Sequence, residues 1–160
     1  MCIRDRYGAA RFAEEYAGPI AAQLWVEERG VGGAQSSQAI AEVLIRRADR
    51  ARASIADLQR GRVLDRYTGP ISAWGGFVEA LERGTAAMRL DPAMRVRADR
   101  AAARAWLAVR LGVGPQVAPG ALWYRHVDGE PPGTWRATQL VRVLPGPRGS
   151  TKVLALYAPL

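Results

Sequence analysis

Cysteine, histidine and lysine are scarce in this chain, and each scarcity excludes a kind of site. The single cysteine, Cys2, leaves no partner for a disulfide within the chain and no cysteine-based metal site. The single histidine, His126, argues against a zinc site built from several imidazoles. No apolar run approaches the ~20 residues that a membrane-spanning helix needs. We therefore expect no metal, no cofactor and no membrane span.

The charge of the chain is one-sided. Lys and Arg number 23 against 15 Asp and Glu, for a formal net charge of +8, and arginine supplies nearly all the cations. A basic surface suits any polyanion, including nucleic acid, an anionic envelope or acidic wall polymers. No nucleic-acid-binding motif accompanies the charge, so we expect no nucleic-acid partner. The oligomeric state is left open.

The first six residues, MCIRDR, differ in origin from the rest. They match the translation of a transposase mosaic-end adapter used in sequencing libraries, and we exclude them from the fold prediction as a scar. The natural start of the protein is therefore open, and nothing follows about a signal peptide. We predict a helical N-terminal extension over residues 7–18 and one domain over residues 19–160, a length typical of a single domain.

Hydrophobic spacing and end signals predict a mostly helical body. The predicted helices are Tyr7–Tyr16 up to a break at Gly18-Pro19, Pro19–Arg29 stopped by Gly30, Gln38–Arg50 capped by Ser36 or Ser37, a short helix opened by Ser54 with Asp57 and ended at Gly61, Phe77–Arg83, and a long helix from Asp91-Pro92 to Leu111.

The C-terminal third has a different character. Strand-like segments cover Leu122–Val127, Gln139–Leu144 and Lys152–Tyr157, and the sequence GPRG at 146–149 predicts a hairpin between the last two. We therefore expect an α+β chain that is mostly α, with a small C-terminal β-hairpin or sheet.

Two groups of motifs carry a resemblance to a known family. The segment WVEERG at 25–30 precedes a glycine-containing loop and the helix AIAEVLIRR at 39–47. Further on stand GALWYRH at 120–126, PGTW at 132–135 and a closing Leu156-Tyr157. In order, spacing and residue class these motifs resemble the SleB-type cell-wall hydrolases, the spore-cortex-lytic and phage-type peptidoglycan hydrolases, over about Ile20 to Pro159.

The resemblance implies a lysozyme- or lytic-transglycosylase-like helical domain that acts on peptidoglycan glycan strands, whether periplasmic, extracellular or phage-delivered as an endolysin. It places Glu27 at the position of the family's catalytic acid. Aromatic faces stack on sugars and polar tips bind hydroxyls, so we expect a substrate groove around Glu27. Its candidate lining residues are Arg29, Tyr67, Trp74, Tyr124, His126 and Trp135.

Glycosidic cleavage requires a proton on the leaving oxygen, and glycosidases usually place two carboxyl groups ~5–9.5 Å apart. A second carboxylate is not identifiable from the sequence. The resemblance suggests another route, in which one glutamate acts as acid and then as base while a hydroxyl of the sugar attacks and leaves an anhydro product. We therefore prefer a lytic transglycosylase to a hydrolytic muramidase.

Three positions depart from the family pattern. Arg46 stands where the family has asparagine, Val31 where it has an acid, and Trp123 where it has histidine, with His126 three residues on. Such departures suit a divergent phage or prophage enzyme. They also suit an inactive peptidoglycan-binding or virion structural domain on the same fold.

The candidate site residues each have a structural interpretation as well. Glu27 could be a solvated acid near a helix end, and Arg29 could compensate the dipole at the same end. Trp135 could belong to the core, because buried aromatic residues dominate the packing of small domains. His126 could lie on a strand surface. The sequence leaves these interpretations open.

Overall fold

The structure is a computed structural model that describes residues 8–63 and 75–160. Helices form the first part and an antiparallel sheet the last, which confirms the predicted mostly α, α+β class with a small C-terminal sheet. In chain order the elements are α1 (Ala9–Phe12), a π-helical turn (Ala13–Ala17), α2 (Gly18–Glu28), α3 (Ala34–Ala51), α4 (Ile55–Gln59), α5 (Phe77–Leu90), α6 (Pro92–Leu111), β1 (Trp123–Asp128), β2 (Thr138–Pro145) and β3 (Lys152–Pro159).

The predicted break at Gly18-Pro19 is wrong. Helical backbone continues through Gly18, whose φ of −64° and ψ of −57° are helical. The five residues before it form the π-helical turn, which is wider than an α-turn. A wider turn ahead of Pro19 relieves the clash between the proline ring and the carbonyl four residues earlier. Pro19 therefore fits within a continuous helical segment. The side chains of Phe12 and Tyr16, which precede it, pack in the core.

Two other helix ends also differ from prediction. The N-cap of α3 is Gly33, and Ser36 donates its hydroxyl proton to the Gly33 carbonyl instead of capping the helix (3.1 Å). Helix α5 passes through Gly84, where a Cβ would lie 2.9 Å from the carbonyl oxygen of Ala22 on α2. Gly84 therefore serves close helix packing rather than helix termination.

Two helix starts, at Ser54 and at Asp91-Pro92, are predicted correctly, and a side chain caps each helix. The hydroxyl of Ser54 accepts the backbone N–H of Asp57 at 3.0 Å, and the carboxylate of Asp91 accepts that of Met94 at 3.0 Å. Each bond satisfies one of the free N–H groups at a helix start.

One apolar core joins the helices to the inner face of the sheet. Ile20 of α2, Ile40 and Leu44 of α3, and Leu154 and Leu156 of β3 are fully buried. Helix α6 meets this core through small residues, which allow its backbone to approach α3 closely. They are Ala98, Ala101, Ala102 and Ala105.

The sheet separates two sets of aromatic side chains. Its order is β1–β3–β2, with Tyr124 opposite Leu156 and Trp123 opposite Tyr157. Because side chains alternate along a strand, Tyr124 and His126 lie on the inner face with Leu156. Trp123 and Tyr157 share the outer face.

A buried ion pair fixes the segment that leads into β1. Glu42 of α3 is fully buried and accepts the backbone N–H groups of Val117 (2.8 Å) and Ala118 (3.2 Å). It also pairs with Arg46 at 2.9 Å, and Arg46 in turn donates to the carbonyl of Ala121 at 3.0 Å. Helix α3 thereby sets the position at which β1 begins.

We expect Glu42→Gln to lower the free energy of unfolding by about 3–5 kcal/mol, since breaking a buried pair leaves the other partner uncompensated. The new amide would also place N–H donors against the donors of Val117, Ala118 or Arg46. Urea denaturation at neutral pH measures the change. The matched control is Glu79→Gln on the exposed side of α5, expected within about 0.5 kcal/mol of wild type. Equal losses in both variants would contradict the anchoring role.

Candidate functional site

Glu27 lies in the last turn of α2, and 21% of its side chain is exposed. Oε1 accepts hydrogen bonds from the amide of Gln23, one turn earlier (3.2 Å), and from the hydroxyl of Tyr124 on β1 (3.0 Å). Nδ1 of His126, two residues along β1, lies 3.6 Å from Oε2. The carboxyl group is therefore oriented from a helix and from a strand.

A second layer of side chains holds these contacts. Gln59 of α4 donates to Oε1 of Gln23 (3.0 Å) and to the carbonyl of Pro19 (3.0 Å). Gln23 donates in turn to the hydroxyl of Tyr124 at 2.7 Å. Gln23 and Gln59 are both buried, so the chain of hydrogen bonds joins α4, α2 and β1 without solvent in between. Such support holds a functional carboxyl group in a fixed geometry.

Tyr124 remains a hydrogen-bond donor to Glu27. Burial, the largest cause, and the negative charge of Glu27 both raise the pKa of Tyr124 well above its ordinary 10.0. The hydrogen bond from Gln23 acts in the opposite direction. Tyr124 therefore keeps its proton through the neutral range and orients the carboxyl group rather than acting as a base.

The adjacent carboxyl group, that of Glu28, is in a different environment. It is 2% exposed, and Oε2 accepts the hydroxyl proton of Ser37 on α3 at 2.7 Å. Oε1 is buried and has no hydrogen-bond partner among the described residues. Burial is the main cause that raises the pKa of Glu28, and the charge of Glu27 adds to it. Hydrogen bonds from Ser37 and Ser36 and the charge of His126 lower it.

The loop between α2 and α3 is shaped around Glu28. Arg29 and Gly30 adopt left-handed backbone, with φ of 49° and 78°. A Cβ at Gly32 would overlap the carboxylate of Glu28, so the close approach requires glycine. The loop is tied on both sides, since Val31 donates its N–H to the carbonyl of Glu28 (2.9 Å) and accepts the N–H of Arg148 (3.0 Å).

Of the predicted groove residues, the structure brings Tyr124 and His126 to Glu27. Arg29 lies two residues beyond Glu27, and its guanidinium stacks on Trp25, 4.1 Å from the ring centroid. Tyr67 and Trp74 lie outside the described residues.

Trp135 is placed elsewhere. Its ring packs edge-on against Tyr157, with ring centroids 5.5 Å apart, on the outer face of the sheet. The guanidinium groups of Arg125 and Arg136 lie 5.2 and 5.1 Å from its centroid. Trp135 therefore does not share the face from which Tyr124 reaches Glu27.

The sequence interpretation missed Gln23, Gln59 and Glu28. Gln23 had a usable signal, because it stands four residues before Glu27 and so lies on the same helix face. Gln59 and the burial of Glu28 had none, since both depend on contacts between separate helices.

Within residues 8–63 and 75–160, His, Cys, Asp and Glu form no group of three or more suited to hold a metal ion. In the same part of the chain, no helix is both long and apolar enough to cross a membrane. Comparisons of the chain with protein-family models, curated proteins and solved structures find no match.

We expect Tyr124→Phe to lower the free energy of unfolding by about 1–2 kcal/mol at neutral pH, because Gln23 and Glu27 each lose a buried partner. Above about pH 10 the wild type should lose part of this advantage. The folded state retains a proton that the unfolded chain releases, so stability falls as pH rises from the ordinary tyrosine pKa towards the raised one. Urea denaturation from about pH 7 to pH 11 tests this linkage. Parallel curves for the two proteins would contradict it.

Proposed function

We propose that this chain cleaves the glycan strands of peptidoglycan by the lytic-transglycosylase route, with Glu27 as the single acid and base. The observation that carries the proposal is the convergence of Gln23, Tyr124 and His126 on one partly exposed carboxyl group. The resemblance of the surrounding motifs to SleB-type hydrolases supports the choice of substrate. The expected place of action is the bacterial cell wall.

The two oxygens of Glu27 have different roles in this mechanism. Oε1 already accepts two hydrogen bonds, so the transferable proton belongs on Oε2. Oε2 donates this proton to the glycosidic oxygen as the bond from that oxygen to the anomeric carbon breaks. A hydroxyl of the same sugar then attacks the anomeric carbon, and its proton returns to Oε2. The product carries an anhydro end, and no water is consumed.

The contacts of Glu27 orient its carboxyl group through both proton transfers. Tyr124 and Gln23 donate hydrogen bonds to it, and a protonated His126 would add an ion pair at 3.6 Å. Hydrogen bonds to charged groups are among the stronger ones in proteins.

The environment of Glu28 favours the non-hydrolytic route. Hydrolysis with inversion needs a second carboxylate that activates water near the sugar. Glu28 is buried, and its Oε2 accepts the Ser37 hydroxyl, so it is not placed to activate a water at a glycan bound beside Glu27. One exposed carboxyl group that serves twice fits this arrangement.

The alternative is an inactive peptidoglycan-binding or virion structural domain. Two departures from the family pattern lie away from Glu27: Arg46 is bound to Glu42 and Ala121, and Trp123 faces the outer side of the sheet. His126 supplies an imidazole beside Glu27 from a neighbouring position. These placements favour an active enzyme over an inactive domain.

Release of soluble muropeptides from purified peptidoglycan, analysed by mass, tests the proposal. We expect the wild type to release products with anhydro-muramyl ends, and Glu27→Gln to release them about 10²–10⁴-fold more slowly. Glu79→Gln is the matched control and should keep wild-type activity. Unfolding midpoints establish that all three proteins are folded.

Other outcomes separate the alternatives. Reducing-end products lost with Glu27→Gln would retain Glu27 and reject the non-hydrolytic route. No release by the wild type from several wall chemotypes, together with co-sedimentation on insoluble peptidoglycan, would reject the enzyme in favour of a binding domain.

A further inference from the structure

The carboxyl group of Glu28 has no step in the proposed chemistry, yet its surroundings are specific. It borders a cavity of about 30 Å³ whose other walls include Leu24, Met88 and Met94. Ser37 donates to Oε2 at 2.7 Å, Ser36 also favours the carboxylate, and Oε1 has no partner among the described residues. At about 10–15 Å³ for each, the cavity has room for two or three water molecules at most. A carboxylate there is far less hydrated than one at the surface.

The loop of residues 30–33 closes over this carboxyl group. Gly32 lies against it so closely that no side chain fits, and the carbonyl of Gly30 accepts the guanidinium of Arg97 at 3.0 Å. Val31 ties the loop to the end of α2 through the carbonyl of Glu28 and to the β2–β3 turn through Arg148. The closed loop therefore requires that Glu28 remain buried.

The charged groups around Glu28 come from three elements. Glu27 on the same helix opposes its ionisation, and His126 on β1 favours it. Arg97 on α6 lines the cavity, with its guanidinium bound to the carbonyl of Gly30. Helix α3 contributes the neutral Ser36 and Ser37, and α5 contributes Met88. Burial outweighs these effects, and the pKa of Glu28 is raised.

We propose that Glu28 is a positioning residue whose protonated carboxyl group keeps the 30–33 loop closed over the end of α2, and whose ionisation opens it. An ionised carboxylate with one oxygen left unpartnered is costly to bury, whereas a neutral one costs much less. Opening the loop gives the carboxylate access to water. It also breaks the Val31 bond that secures the helical turn bearing Glu27.

The effect of Glu28 on cleavage rests on the proposed function, but its effect on the loop does not.

The direction of the pH effect follows from linkage. In the open loop Glu28 titrates near the ordinary value of 4.5, and in the closed loop its pKa is higher. Between the two values opening releases one proton, so the opening constant rises by up to about tenfold per pH unit. The loop is closed at low pH and opens as pH rises.

Amide hydrogen exchange of Val31, whose N–H is bonded to the carbonyl of Glu28 in the closed loop, tests the coupling. It is corrected for intrinsic rates and measured from about pH 4 to pH 8. We expect protection in the wild type to fall with pH by up to about tenfold per unit. In Glu28→Gln, which has a similar shape and cannot ionise, protection should be high and independent of pH. Glu79→Gln should follow the wild type. Parallel pH dependences in wild type and Glu28→Gln would overturn the proposal.

A second variant covers the case in which Glu28→Gln does not fold. The hydroxyl of Ser37 lowers the pKa of Glu28, so Ser37→Ala should move the loss of protection to higher pH. An unchanged midpoint in Ser37→Ala would overturn the proposal without any use of Glu28→Gln.

Muropeptide release provides the functional readout. We expect kcat of the wild type to fall over the pH range in which the loop opens, and kcat of Glu28→Gln to lack this decline. If the wild type releases no muropeptides, the proposed function fails, while hydrogen exchange still decides the role of Glu28. Release with the same pH profile in both proteins would overturn the link between the loop and Glu27.

Discussion

Four hydrogen bonds converge on the buried carboxylate of Glu42, and the position of the sheet depends on them. Two come from backbone N–H groups in the segment before β1, and two come from Gln38 and Arg46 on the same helix. Because these four donors satisfy the carboxylate of Glu42, its negative charge is tolerated in the core. The segment held in this way places Tyr124 on the inner face of β1, where its hydroxyl reaches Glu27. The scaffold and the candidate site are thus connected through one carboxylate.

The end of α2 presents two adjacent carboxyl groups to different environments. Successive side chains on a helix point about 100° apart. Glu27 therefore lies beside β1, while Glu28 lies against α3. Glu27 accepts hydrogen bonds from Gln23 and Tyr124 and is partly exposed. Glu28 is buried, and its Oε1 has no partner among the described residues. Burial raises the pKa of Glu28, and the two neighbouring carboxyl groups thus stand in environments suited to different roles. The loop of residues 30–33 follows the end of α2 and covers the side chain of Glu28.

Sequence signals were sufficient where a helix start depends only on neighbouring residues. The helix starts at Ser54 and at Asp91-Pro92 lie as predicted, because each cap involves only residues within three positions. The break at Gly18-Pro19 and the end of α5 were misjudged because structure beyond the local pattern decides them: a π-turn admits the proline, and α5 continues through Gly84, which meets a backbone carbonyl of α2. At the site, Tyr124 and His126 were predicted to line a groove, and both contact the carboxyl group of Glu27. The burial of Glu28 and the support from Gln59 depend on contacts between separate helices, which no local pattern records.

The positions that depart from the SleB-type pattern can be interpreted from their contacts. The guanidinium of Arg46 joins Glu42, Gln116 and the carbonyl of Ala121, so Arg46 serves the scaffold. Trp123 faces the outer side of the sheet, while His126, three residues on, lies on the inner face beside Glu27. Under the proposed function these positions leave the surroundings of Glu27 intact, because Gln23, Tyr124 and His126 still meet its carboxyl group.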